Sequence, residues 1–170
     1  MKMQTTFLAA ATLVAAAFTA GCGSDEPATA ADSIVVSSAW TKAADSGMTG
    51  AFAELDNTGD QDVHIVAVSS PVSSRSELHE MAPGAGGAMS MREMDSGLIV
   101  PAHSQHSLAP GGDHLMLMDL IEPVAPGTDI TFVLTFDDGS STEFTSQVRD
   151  FAGAREDYSP GSAEGATHGG

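Results

Sequence analysis

The sequence predicts an all-β fold, an antiparallel β-sandwich or small barrel, and three observations predict it. Between residues 33 and 151 apolar and polar residues alternate with a period of two. Residues of the Gly, Pro, Asn and Asp kind break the alternation at short intervals. No window offers the three-to-four spacing of an amphipathic helix. Taken in order, strands are expected at 33–43 (SIVVSSAWTKA), 49–57 (TGAFAELDN), 62–70 (DVHIVAVSS), 74–81 (SRSELHEM) and 88–94 (AMSMREM). Five more follow at 97–101 (GLIVP), 105–110 (QHSLAP), 114–120 (HLMLMDL), 129–136 (DITFVLTF) and 141–149 (STEFTSQVR). NTGDQ, APGAGGA, APGGD, PVAPGTD and DDGSS supply turns between them, and FDDGSSTEF is a clear hairpin signal.

A chain of 170 residues, 42% of them hydrophobic, can bury one real core, so a single domain is expected. The charge is lopsided, with 23 acidic residues against six Lys and Arg and a formal net charge of -17. Phosphate binding needs a clustered basic face, and none is visible, which argues against a nucleic-acid partner. The acids read instead as a solvated surface.

The chain opens with MKMQTTFLAAATLVAAAFTAGC, in which Lys2 precedes an apolar run over residues 7–20 that ends in small residues. This is the pattern of an export signal, and the run is short for a transmembrane helix. The ending TAGC resembles the lipobox of bacterial lipoproteins, which implies lipidation of Cys22, the only cysteine; Thr19 stands where that pattern usually has Leu. Cleavage by an ordinary signal peptidase, leaving a soluble protein, is the alternative. The expected organisation is a signal peptide at 1–22, a flexible linker at 23–32, the β domain at 33–151 and a disordered tail at 152–170. A lone cysteine allows no internal disulfide, so the fold must stand on its core or on a metal.

Six of the nine methionines fall between Met81 and Met118, and His79 and His114 sit beside them in HEM and HLM. Side chains two apart in a strand share a face, so His79 pairs with Met81, and His114 with Met116. Thioether sulfur is soft and uncharged; it suits Cu(I) and offers little to Zn, Mg or Ca, while imidazole adds a nitrogen donor that copper also accepts. Methionine also avoids the disulfide chemistry that would compromise cysteine ligands outside the cytoplasm.

Methionine is also a common core filler, and Met48, Met94 and Met118 are read as packing or surface residues. For His79, Met91, His114 and Met116 packing explains less, because Leu78, Leu115 and Leu117 already supply an apolar face. With one face of each strand buried, the His and Met face is expected to point outward. His103 and His106 read as exposed surface, with a secondary Cu(II) contact as the lesser alternative. His64 reads as structural or exposed, His168 lies in the tail, and Trp40 as an anchor that could shield a nearby site.

These residues resemble the periplasmic copper chaperones called PCu(A)C, whose signature is a His, often with a nearby Met, followed by a spaced Met and then His-x-Met. Here ELHEM supplies His79 and Met81, MSMREM supplies Met91, and HLMLM supplies His114 and Met116. The flanking segments AFAELDNTGDQDVHIVAVSSPVSSRSELHEM and LAPGGDHLMLMDL match as well, so the resemblance spans roughly residues 34–148. Eleven residues lie between His79 and Met91 and twenty-two between Met91 and His114, one more than the family pattern in each interval. The extra residues fit the glycine-rich APGAGGA loop and the turn around MDSGLIVPA, where insertions are tolerated. Met89 is the alternative to Met91, and Met81 an auxiliary ligand.

The resemblance implies a cupredoxin-like or immunoglobulin-like β-sandwich that binds one Cu(I) through His79, Met91, His114 and Met116. It implies a monomeric carrier and not an enzyme. It further implies delivery of copper to a partner, either the CuA subunit of cytochrome c oxidase or a Sco-type protein. The location expected is the outer face of the cell membrane through a lipid anchor, or the periplasm. A blue-copper site would need a Cys thiolate with two His, and Cys22 is far from both. No nucleophile elbow, zincin helix or phosphate loop appears. The competing reading is a metal-free Ig-like interaction module whose Met cluster is a sticky surface.

Overall fold

The computed structural model describes residues 28–84 and 87–153. The signal with Cys22, residues 23–27 of the expected linker and the tail from 154 onward, His168 included, lie outside the described residues.

All ten expected strands form: β1 (Ile34–Lys42), β2 (Thr49–Asn57), β3 (Val63–Ser69), β4 (Ser73–Pro83), β5 (Met89–Glu93), β6 (Leu98–Val100), β7 (Gln105–Leu108), β8 (His114–Leu120), β9 (Asp129–Phe136) and β10 (Ser141–Arg149). Their order across the sheet is β5-β4-β8-β2-β1-β10-β9-β3-β6, with β7 pairing along another part of β2. The barrel alternative is not realised. The sheet ends at β5 and β6, strands of five and three residues at opposite ends of the path, and folds over as a sandwich. Pairing is antiparallel throughout except between β1 and β10, which run parallel over Trp40–Lys42. Strand β1 reaches this position through a register shift between Ser37 and Trp40, where Ser38 adopts φ 55°.

One helical turn, α1 (Ala30–Ser33), lies where the end of the linker was expected, too short to leave a periodic trace in the sequence. The Thr29 amide and hydroxyl donate to Asp32 at 2.9 and 2.7 Å. The Ala30 amide donates to Asp138 at 2.8 Å and the Ala31 amide to Ser140 Oγ at 3.1 Å, docking the turn on the β9–β10 hairpin. These bonds, first among them those from the Thr29 and Ala30 amides, hold the Asp32 and Asp138 carboxyls below their ordinary value.

The alternation read from the sequence is what fills the sandwich. Ile130, Phe132, Leu134 and Phe136 point inward from β9 and meet Leu78 from β4, Leu115 and Leu117 from β8, Ile65 from β3 and Val100 from β6 in one core. Two polar devices fix the loops around it. Buried Asn57 donates to the Gln61 and Val100 carbonyls at 2.8 and 2.9 Å and accepts from the Gly59 amide at 3.0 Å. Gly97, at φ +75°, lies against the β3 backbone so closely that a Cβ there would fall 2.3 Å from the Ile65 carbonyl oxygen, so this turn before β6 requires glycine.

Strand β8 departs from simple alternation, since its first five residues are all buried. Leu115 and Leu117 enter the main core, while Met116 and Met118 join Met91 in a second cluster with Met81 packed against it. Leu117→Ala is expected to lower the free energy of unfolding in urea by about 3 kcal/mol, the cost of a buried Leu truncation. Val66→Ala, at an exposed position on β3, is expected to stay within about 0.5 kcal/mol of the parent in the same measurement.

Candidate metal centre

Strand β4 lies between β5 and β8, and its register with each decides which side chains meet. Against β8, His79 stands opposite His114 and Glu77 opposite Met116. Against β5, Met81 stands opposite Met91, and Pro83 opposite Met89. Residues of equal parity share a face, so Glu77, His79, Met81, Met89, Met91, His114, Met116 and Met118 all project from the side of the sheet away from the Leu78–Leu115 pair. The two imidazoles meet edge to face with centroids 5.5 Å apart. The four residues singled out by spacing, His79, Met91, His114 and Met116, thus belong to one patch contributed by three neighbouring strands.

Register also separates the two candidate methionines of β5. Met91 is 5% exposed and packs with Met116 and Met118, whereas Met89, one pair further along the hairpin, is 55% exposed. The pairing runs unbroken from His79–Glu93 to Pro83–Met89, and the glycine-rich loop joins the two strands beyond it. Within that loop the Gly84 amide donates to the Ala88 carbonyl at 2.7 Å.

The expectation that this face points outward is corrected. His79, Met91, His114, Met116 and Met118 are all buried. The reason is local cover: Phe52 and the Pro110–Gly111 turn stand beside His114, Met91 and Met116 around a small cavity of about 30 Å³, and the thioethers cover one another. Gly111, exposed and at φ +81°, makes the turn that brings the chain over the start of β8. Trp40 lies tilted against Phe52 at 4.5 Å and meets Phe151 edge-on at 5.0 Å, while Phe52 lies 6.2 Å from the His114 ring. Trp40 therefore supports the cover through Phe52.

Hydrogen bonds set the orientation of both imidazoles. His114 Nδ1 lies 2.9 Å from the Gly112 carbonyl oxygen, which can only accept, so Nδ1 carries the proton and the neutral ring keeps its lone pair on Nε2. His79 Nε2 lies 2.7 Å from Glu77 Oε2, so the neutral His79 ring donates from Nε2 and keeps its lone pair on Nδ1. Glu77 is itself buried and is paired on its other oxygen with Arg75. Sequence reasoning missed Glu77. The signal was present, since Glu77, His79 and Met81 are spaced by two, and a carboxylate in that row would have to be buried with the histidine.

The other histidines are engaged elsewhere. His64 Nε2 donates to the Ser96 carbonyl at 2.6 Å, tying β3 to the turn before β6. His103, exposed at φ 54°, pairs with Asp60, and His106 pairs with Asp113, each at 2.9 Å. Among the described residues no group of three or more His, Cys, Asp and Glu side chains is placed to hold a metal ion. The distinctive resource of this patch is two imidazoles beside clustered thioethers, a donor set matched to a soft monovalent ion.

Comparison with known proteins agrees with this architecture. The family model described as LpqE-like matches residues 34–148. A protein of Leifsonia xyli subsp. xyli (strain CTCB07), named "Putative lipoprotein Lxx21020", is 44% identical over 163 residues, covering 91% of this chain and 98% of that one. Among solved structures, the copper-bound PCuAC domain from PmoF2 aligns with TM-score 0.57 and 18% identity over 69% of this chain and 93% of that one. The solution structure of CuI-DR1885 from Deinococcus radiodurans aligns with TM-score 0.55 and 25% identity over 74% of this chain and 85% of that one. The resemblance to PCu(A)C proteins and the cupredoxin-like sandwich it implied are borne out, and the chain belongs to the LpqE-like family.

Proposed function

We propose that this protein is an extracytoplasmic copper metallochaperone that holds one Cu(I) through His79, Met91, His114 and Met116 and passes it to a partner protein. The observation that carries this reading is the cross-strand pair His79 and His114, with ring centroids 5.5 Å apart, set beside the buried Met91 and Met116 cluster. One ion about 2 Å from each imidazole nitrogen can span that separation. Donors that are all neutral hold Cu(I) without the strength of a thiolate cage, which suits a cargo that must be given up. The likeness to copper-bound PCuAC structures adds support.

In this reading Glu77 acts through His79. Its carboxylate accepts a hydrogen bond from Nε2–H, fixes the ring, and directs Nδ1 to copper. Met81 is an auxiliary donor beside Met91, Met118 packs behind the site, and Phe52 with the Pro110–Gly111 turn limits the access of water. The acceptor's ligands replace the chaperone's one at a time, so the ion is never released free. The chemistry involves no cleavage of a substrate bond and no enzyme activity. The acceptor proposed is the CuA subunit of cytochrome c oxidase or a Sco-type protein, met by a monomeric carrier.

The ends of the chain serve the same task. Residues 1–22 act as the export signal, Cys22 carries the lipid, residues 23–28, up to the docked α1 turn, form the tether and 152–170 the tail; the name of the Leifsonia relative supports an anchored lipoprotein. An anchor and tether raise the effective concentration of the carrier near a membrane-bound acceptor.

Anaerobic titration against a chromophoric Cu(I) chelator is expected to give one tightly bound Cu(I) per wild-type chain. The double variant His114→Ala with Met116→Ala is expected to bind at least about 100-fold more weakly, beyond what loss of a supporting residue alone costs. Absence of Cu(I) binding by the wild type would overturn the chaperone reading in favour of a metal-free interaction module. In the same titration, Glu77→Gln, which keeps an acceptor for the His79 ring, is expected to lose up to about tenfold in affinity, and Glu77→Leu about 100-fold.

A further inference from the structure

Met91 and Met116 line two hollows. One is the cavity of about 30 Å³ shared with His114 and Phe52. The other, of about 110 Å³, is bounded by the same two methionines together with Met48, Lys42 and Thr49. Gly50 borders both hollows and stands opposite Met116 in the β2–β8 pairing, so at that position β2 puts no side chain over Met116. Met48 is 44% exposed, and its flanks are fixed: the Gly47 carbonyl accepts from the Leu120 amide at 2.9 Å, and Thr49 Oγ1 donates to the Lys42 carbonyl at 2.7 Å. Its thioether therefore stands at the surface end of a hollow whose inner wall is two methionines of the metal centre.

We propose that Met48, Met91 and Met116 form an outer, all-thioether station for Cu(I), through which the ion passes between solvent or partner and the histidine site. The inference rests on the chaperone reading and adds a residue and a route to it. Three neutral sulfur donors satisfy Cu(I) and discriminate against harder divalent ions. Passage inward is a ligand exchange: the bond from copper to Met48 sulfur breaks as a bond to the His114 nitrogen forms, while Met91 and Met116 stay attached. Copper remains Cu(I), and no electron or proton is transferred. The Lys42 side chain, which donates to the Gly153 carbonyl at 2.7 Å, borders the same hollow. The histidine site, which adds imidazole donors to the thioethers, is the place of residence, and the outer station a place of passage.

The test uses the full chain with its methionine methyl groups labelled with carbon-13, and Cu(I) itself as the probe. Met48→Leu is expected to leave the equilibrium affinity for Cu(I) within about twofold and to slow both uptake from and release to a chromophoric chelator by about tenfold. In His114→Ala, which weakens the inner site, substoichiometric Cu(I) is expected to shift the Met48 methyl resonance further than in the wild type. Equal exchange rates in Met48→Leu and wild type, with a Met48 methyl that does not move in wild type or in His114→Ala, would overturn the outer station and leave the chaperone reading standing. Failure of the wild type to bind Cu(I) at all would overturn that reading first. Because Met48 lies at the surface, the kinetic comparison holds even if His114→Ala does not fold.

Discussion

The register between β4 and β8 is the constraint on which the rest of the site depends. It places Leu78 against Leu115 on the core side and His79 against His114 on the other, in a single set of backbone hydrogen bonds. Strand side chains alternate strictly, so a slip of β8 by one residue would carry Leu115 and Leu117 out of the core and turn His114 into it, away from His79. The apolar burial that stabilises the sandwich therefore also holds the two histidines opposite each other. Stability and donor geometry are specified by the same pairing, and neither can drift without the other.

Much of this was legible in the chain because period-two alternation is a local property. Each of the ten strands carries its own pattern and turn residues, and those suffice to find it. Open and closed sheets share that pattern, however, and whether β5 and β6 meet depends on pairings between segments distant in sequence. The parallel contact between β1 and β10 was hidden for the same reason. The four-residue α1 owes its position to side chains at Asp138 and Ser140, more than a hundred residues away.

The site divides along similar lines. Spacing singled out His79, Met91, His114 and Met116, since strand parity is readable, and the pairing of β4, β5 and β8 brings them to one patch. Burial of that face was not readable, because its cover comes from Phe52 on β2 and the turn before β8. Spacing alone also left Met89 and Met91 equivalent; the hairpin register distinguishes them by setting Met91 inside the cluster and Met89 beyond it. Glu77 was overlooked because charged residues in exposed strands are common, and only its contact with His79 in a buried setting gives it meaning.

The position of β5 at the edge of the sheet makes the donors unequal in a second way. His79, His114 and Met116 sit on strands flanked on both sides, whereas β5 is bonded along one side only, to β4. Strands tied on a single side detach at lower free-energy cost than those in the interior of a sheet. In the proposed site three donors would therefore sit on interior strands and the fourth, Met91, on an edge strand, the one least tied into the sheet.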